Sequence, residues 1–131
     1  MQQEQNNSKH NQQWLVKLSV NDLTAIGHAL FPYAQFVHRI IPPSPERGRI
    51  LMTIEQLRRK IADLQSSYSD GREVPFPIIE EELRVIDAAL ATFLDGIHRF
   101  IPQSIQRHEI TQACSKLRQY LVTASSAGYS E

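Results

Sequence analysis

Apolar positions recur every three or four residues along most of the chain. The first such stripe is Leu23, Ile26, Leu30, Ala34, Val37 and Ile41, the spacing of one face of an α-helix. A short apolar lead-in at residues 14–18 precedes it, followed by Ser19, a good N-cap with Asp22 three residues on. Leu18 and Leu23 occupy the two positions of a hydrophobic staple. Pro32 predicts a kink, because it removes a backbone donor and crowds the preceding turn. Pro42 and Pro43 end the helix, Ser44 caps a second, and Pro45 takes its first position, where a missing N–H costs nothing.

The second stripe, Ile50, Ile54, Leu57, Ile61 and Leu64, reads as a heptad-like seam. Residues 65–77, with two serines, Asp70-Gly71, Pro75 and Pro77, form the longest connection. A third helix begins near Ile78 with Glu80, Glu81 and Glu82 in its first turn, a favourable end of the helix dipole. Its stripe is Leu83, Ile86, Leu90, Phe93, Leu94, Ile97 and Ile101. Pro102 stops it, and Ser104 caps a fourth helix carrying Ile110, Cys114, Leu117, Leu121 and Ala124. Nothing alternates with a period of two, so the pattern predicts no sheet.

Residue n set against residue n+60 matches without a gap from Leu23/Leu83 to Ile61/Leu121, with 13 of 39 positions identical. Shared Leu and Ile alone would mean little. The polar corner His-Arg-x-Ile-Pro-x-Ser-x-x-Arg, written at 38–47 and again at 98–107, points to duplication of one αα-hairpin. One hairpin cannot hide its own stripes, but two can, so the expected fold is all-α: an up-down-up-down four-helix bundle. Its parts are a Gln/Asn-rich tail at 1–13, a single domain at 14–124 and a polar tail at 125–131. Within the domain, hairpins at about 19–65 and 78–124 flank a linker at about 66–77. Both tails lack the apolar surface that would offset the entropy of ordering them.

Composition changes this picture little. Hydrophobic residues make up 41% and charged residues 21%, and 14 Lys plus Arg balance 14 Asp plus Glu. A balance of zero argues against a surface given over to nucleic acid or anionic lipid, while leaving room for a local patch. The lone Cys114 cannot pair within the chain and lies on the fourth stripe, which suits a core thiol in a reducing compartment. No apolar run approaches membrane-spanning length, and the N-terminal residues read as neither a secretory signal nor a transit peptide. Cytoplasmic is the expected location.

The chain has no Glu-x-x-His pairs, Gly-rich phosphate loop or zinc spacing. The expectation is therefore no enzyme, no cofactor and no metal. An up-down-up-down order would gather both polar corners at one end, placing His38, Arg39, Arg47, His98, Arg99 and Arg107 together with Arg49 and His108. The acidic residues Asp22, Asp70, Glu73 and Glu80 to Glu82 would lie at the other end. Such a basic end reads either as an anion or partner site or as structure. Cations in a last turn satisfy helix carbonyls, and Arg47 and Arg107 would clamp each hairpin by reaching back to the preceding helix. The clamp is the favoured reading. The functional expectation is a non-enzymatic interaction or adaptor module, self-associating as a homodimer, with a nucleic-acid-binding accessory protein as the alternative.

Overall fold

A computed structural model describes the backbone of residues 13–67, 73–100 and 102–129. Residues 1–12 of the expected tail at 1–13, residues 68–72 of the expected linker, Ile101, and residues 130–131 of the expected tail at 125–131 lie outside the described residues. The elements are β1 (Gln13–Ser19), α1 (Val20–Ile40), α2 (Pro45–Ser67), β2 (Glu73–Ile79), α3 (Glu80–Phe100) and α4 (Ile105–Tyr129). The molecule is mostly helical, as its stripes predict. It is not all-α: the lead-in and the end of the supposed linker are strands, and α4 continues to Tyr129, past the expected end near 124.

The two strands form an antiparallel ribbon in which Trp14 faces Ile78, Val16 faces Phe76 and Leu18 faces Val74. Val16, Leu18, Val74, Phe76 and Ile78 turn inward and are buried, while Leu15, Lys17 and Pro75 stay exposed. This is the period of two that a ribbon with one covered face requires. The prolines that read as loop signals sit where a strand tolerates them. The Lys17 N–H donates to the Tyr120 hydroxyl at 3.0 Å, so it points away from β2. Pro75, opposite Lys17, and Pro77, two residues on, are therefore at positions whose N–H would face outward. The outward Pro77 carbonyl accepts from Lys60 Nζ at 2.7 Å. One helix of each hairpin thus covers one ribbon edge, which limits edge-to-edge pairing with other chains.

Elements of the second half begin 60 residues after those of the first: Gln13 and Glu73, Val20 and Glu80, Pro45 and Ile105. Val16 and Phe76 obey the same offset and face each other, so the ribbon is centred on a local two-fold. Helix starts follow the local chemistry. Ser19 and Asp22 form a reciprocal capping box at 3.0 and 3.1 Å. At the matching start of α3, Ile79 has no side-chain acceptor, yet Glu82 Oε1 still accepts its N–H at 3.1 Å. Pro32 lies within a continuous α1.

Among the helices, α1 packs most extensively against α3, and α2 and α4 flank this central pair. In an up-down-up-down square, α1 and α3 would instead be diagonal. The core joins both hairpins to the ribbon through Leu23, Ile26, Leu57, Phe76, Ile86 and Leu121, among others. Each large apolar side chain so enclosed contributes on the order of 1.5–3 kcal/mol.

Candidate functional site

The two polar corners share their backbone chemistry. Ser44 Oγ accepts from the Arg47 N–H at 3.1 Å, and Ser104 Oγ accepts from the Arg107 N–H at the same distance. Both serines are therefore N-caps, as their spacing predicts. Arg47 Nη1 donates back to the Ile41 carbonyl at 3.3 Å, the geometry of a hairpin clamp. Arg107 Nη2 lies 2.7 Å from His98 Nδ1. A guanidinium only donates, so that nitrogen accepts and the imidazole carries its proton on Nε2. His38 and Arg39 are exposed, and Arg99 pairs with Asp95 at 3.1 Å on an exposed face.

The corners do not come together. Glu46, Arg49 and Ile50, just past the first corner, line a cleft of about 340 Å³ with Glu81, Arg84, Val85 and Ala88 of the first turns of α3. The second corner is held at His98, in the last turn of the same helix. The 13 steps along the chain from Val85 to His98 span about 20 Å of helix. The expected basic end therefore does not form, because α1 and α3 are not arranged as parallel members of a square bundle. Nor does charge separate along an axis: acidic Glu81 shares its cleft with Arg49.

The second corner has a small cleft of its own, about 130 Å³, lined by His98, Gln103, Ser104, Arg107, His108 and Thr111. Gln103 and Thr111 drew no notice in the sequence. Comparison of the copies would have marked them, since positions 103, 108 and 111 correspond to Pro43, Gly48 and Leu51.

Other charged groups join elements. Lys60 Nζ meets Glu82 Oε1 at 2.8 Å and lies 5.0 Å from the centroid of the Phe76 ring. Arg118 meets both carboxylate oxygens of Asp87, at 2.9 and 3.4 Å, tying α4 to α3. That hydrogen bond holds the guanidinium above its ordinary pKa. Cys114 is buried, and burial pushes its thiol pKa up, opposite to what a reactive thiolate needs. Among the described residues, no three His, Cys, Asp or Glu side chains are grouped to hold a metal ion, and no helix is long and apolar enough to cross a membrane. No protein-family model, curated protein or solved structure matches the chain.

Proposed function

We propose that the chain is a non-enzymatic interaction module, built by tandem duplication of a strand–helix–helix unit, that associates with a second copy of itself. The observation carrying this reading is the outer face of the ribbon. Leu15 is 70% exposed there, opposite Pro77 and next to the Lys17–Pro75 pair, with Ile79 closing the row. Leu15, Pro75, Pro77 and Ile79 make this face apolar at its centre, with Lys17 among them and Gln13 and Glu73 at the ends; such a patch on a local two-fold suits an isologous contact, in which the same patch serves both partners. Phe31, Met52 and Ile105, at 58%, 63% and 81% exposure, offer further apolar surface on α1, α2 and α4. A contiguous apolar patch, rather than single exposed side chains, is the mark of protein contact.

The nucleic-acid alternative has less support. It drew on one joined Arg/His end, whereas the corners lie at opposite ends of α3 and Arg47 is engaged with its own hairpin. Light scattering across a range of concentrations tests the proposal. The wild-type mass should rise toward twice the monomer value, and Leu15→Asp should hold it at the monomer value without unfolding the chain. A wild-type monomer at every concentration would overturn self-association.

A further inference from the structure

We propose that the second copy seats on the ribbon in one orientation: the dimer axis runs along the strands, and Lys17 of each chain pairs with Glu73 of its partner. This inference rests on the self-association proposed above and specifies how the two faces meet. The outward positions form four cross-strand rows. In order along the ribbon they are Gln13 with Ile79, Leu15 with Pro77, Lys17 with Pro75, and Ser19 with Glu73. The buried pair Val16 and Phe76 marks the midpoint, between the second and third rows. The two rows on one side of it hold Leu15, Pro77 and Ile79 and no charge. The two rows on the other side hold both charges of the face, Lys17 and Glu73, and both are exposed. The ribbon is thus two-fold in its backbone and polarised in its chemistry.

Two such faces closing on each other about a two-fold place the axis in the plane between them. An axis across the strands reverses the order of the rows. Leu15 would then lie over the partner's Lys17, and Ile79 over the partner's Glu73. Both charges would be covered by apolar side chains with no counter-charge, which is unfavourable. A right-angled crossing would overlap only the two central rows of so narrow a ribbon and leave Glu73 uncovered.

An axis along the strands keeps the order of the rows and exchanges the two strands. Leu15 then covers the partner's Pro77, apolar on apolar. Lys17 lies over the partner's Pro75, one row from the partner's Glu73. That offset is about 7 Å along the strand, between ribbons stacked about 10 Å apart. The flexible four-carbon stem of lysine and the glutamate side chain together close it. The two-fold makes the pair twice. Within one chain Lys17 and Glu73 are diagonal neighbours on the ribbon, yet among the described residues neither side chain is in an ion pair. Both charges are therefore available to a partner, and this orientation alone satisfies them while matching the apolar rows.

The test is the dimer dissociation constant of the full chain, measured by sedimentation equilibrium at low salt for wild type, Lys17→Glu and Glu73→Lys. Each substitution should weaken the homodimer about tenfold or more, because it replaces two ion pairs with two like-charge contacts. An equimolar mixture of the two variants should recover wild-type affinity, since each supplies the charge that the other lacks. A pair formed within one chain predicts no such recovery. Both positions are exposed, so the variants should keep the wild-type fold, which circular dichroism checks. A wild-type dimer that Leu15→Asp dissociates but that neither charge reversal weakens would overturn the orientation and leave self-association standing. Weakening by both reversals without recovery in the mixture would overturn it too. A wild-type monomer at every concentration would overturn both readings.

Discussion

Val16 and Phe76 face each other at the centre of the ribbon, and both side chains are buried, at 2% and 0% exposure. They are residues n and n+60 of the two halves, so the local two-fold passes between them. Their neighbours Leu15 and Pro77 face outward. One step along either strand thus exchanges core for surface.

That alternation gives the first prediction. Phe76→Ala should cost about 3–5 kcal/mol, the range for emptying a filled aromatic site. Pro75→Ala, one position away on the open face, should change stability by about 0.5 kcal/mol or less. Urea denaturation of the two variants checks both. Similar losses from the two would mean that residues 73–79 do not form a strand covered on one face.

The pair between Lys60 and Glu82 gives the second. Glu82 has 5% of its side chain exposed and also accepts the Ile79 N–H, whereas Lys60 is 27% exposed. Lys60→Met removes the compensating charge from a buried carboxylate. A fully buried pair broken in this way costs about 3–5 kcal/mol; the solvent reaching Lys60 lowers the expected loss to about 2–3 kcal/mol. Glu82→Gln should cost less, because its amide oxygen can still accept from Ile79. Denaturant midpoints order the two variants.

Local chemistry in the sequence identified the helices, the serine caps, the Ser19–Asp22 box and the 60-residue offset. Each depends on residues three or four apart or on direct repetition. The strands escaped because Leu15 breaks the polar phase of β1, and because Pro75 and Pro77 are breakers everywhere except on an outward edge. Edge geometry depends on pairing, and pairing here joins residues about 60 apart. In the sequence Glu82 is one of three acids in a first turn, and only the approach of α2 singles it out. The Arg47 clamp was legible from its place in a first turn, where a cation needs a partner elsewhere. The separation of the corners was not, since it follows from how α1 packs on α3.

A third prediction concerns alkaline pH. Burial raises the Cys114 thiol above its ordinary value of 9.0 in the folded chain. The unfolded chain then releases that proton first, so stability falls as pH rises above about 9. Burial raises Tyr33 above 10.0 as well, which extends the loss with the same sign. Cys114→Ala should lower stability at pH 7 by leaving a small void and should flatten the decline just above pH 9. Denaturation midpoints from pH 7 to 10 for both proteins test this; an unchanged slope in the variant would show that the thiol does not contribute.

The last prediction separates clamp from ligand site at Arg47. Its Nη1 reaches the Ile41 carbonyl at 3.3 Å, bridging the end of α1 and the first turn of α2. That carbonyl lies just beyond the last turn of α1, so the bond closes the hairpin rather than extending toward solvent. A hydrogen bond from a charged donor contributes about 1.5–3 kcal/mol when well enclosed. The length of this one and the partial exposure of Arg47 place the expected loss for Arg47→Ala nearer 1 kcal/mol. Lys at this position should recover only part of it, because a single ammonium cannot reproduce the fork of a guanidinium. The loss should be insensitive to added phosphate and should leave the apparent mass in light scattering unchanged. Phosphate-dependent stabilisation that vanishes in Arg47→Ala would instead make the first corner an anion site.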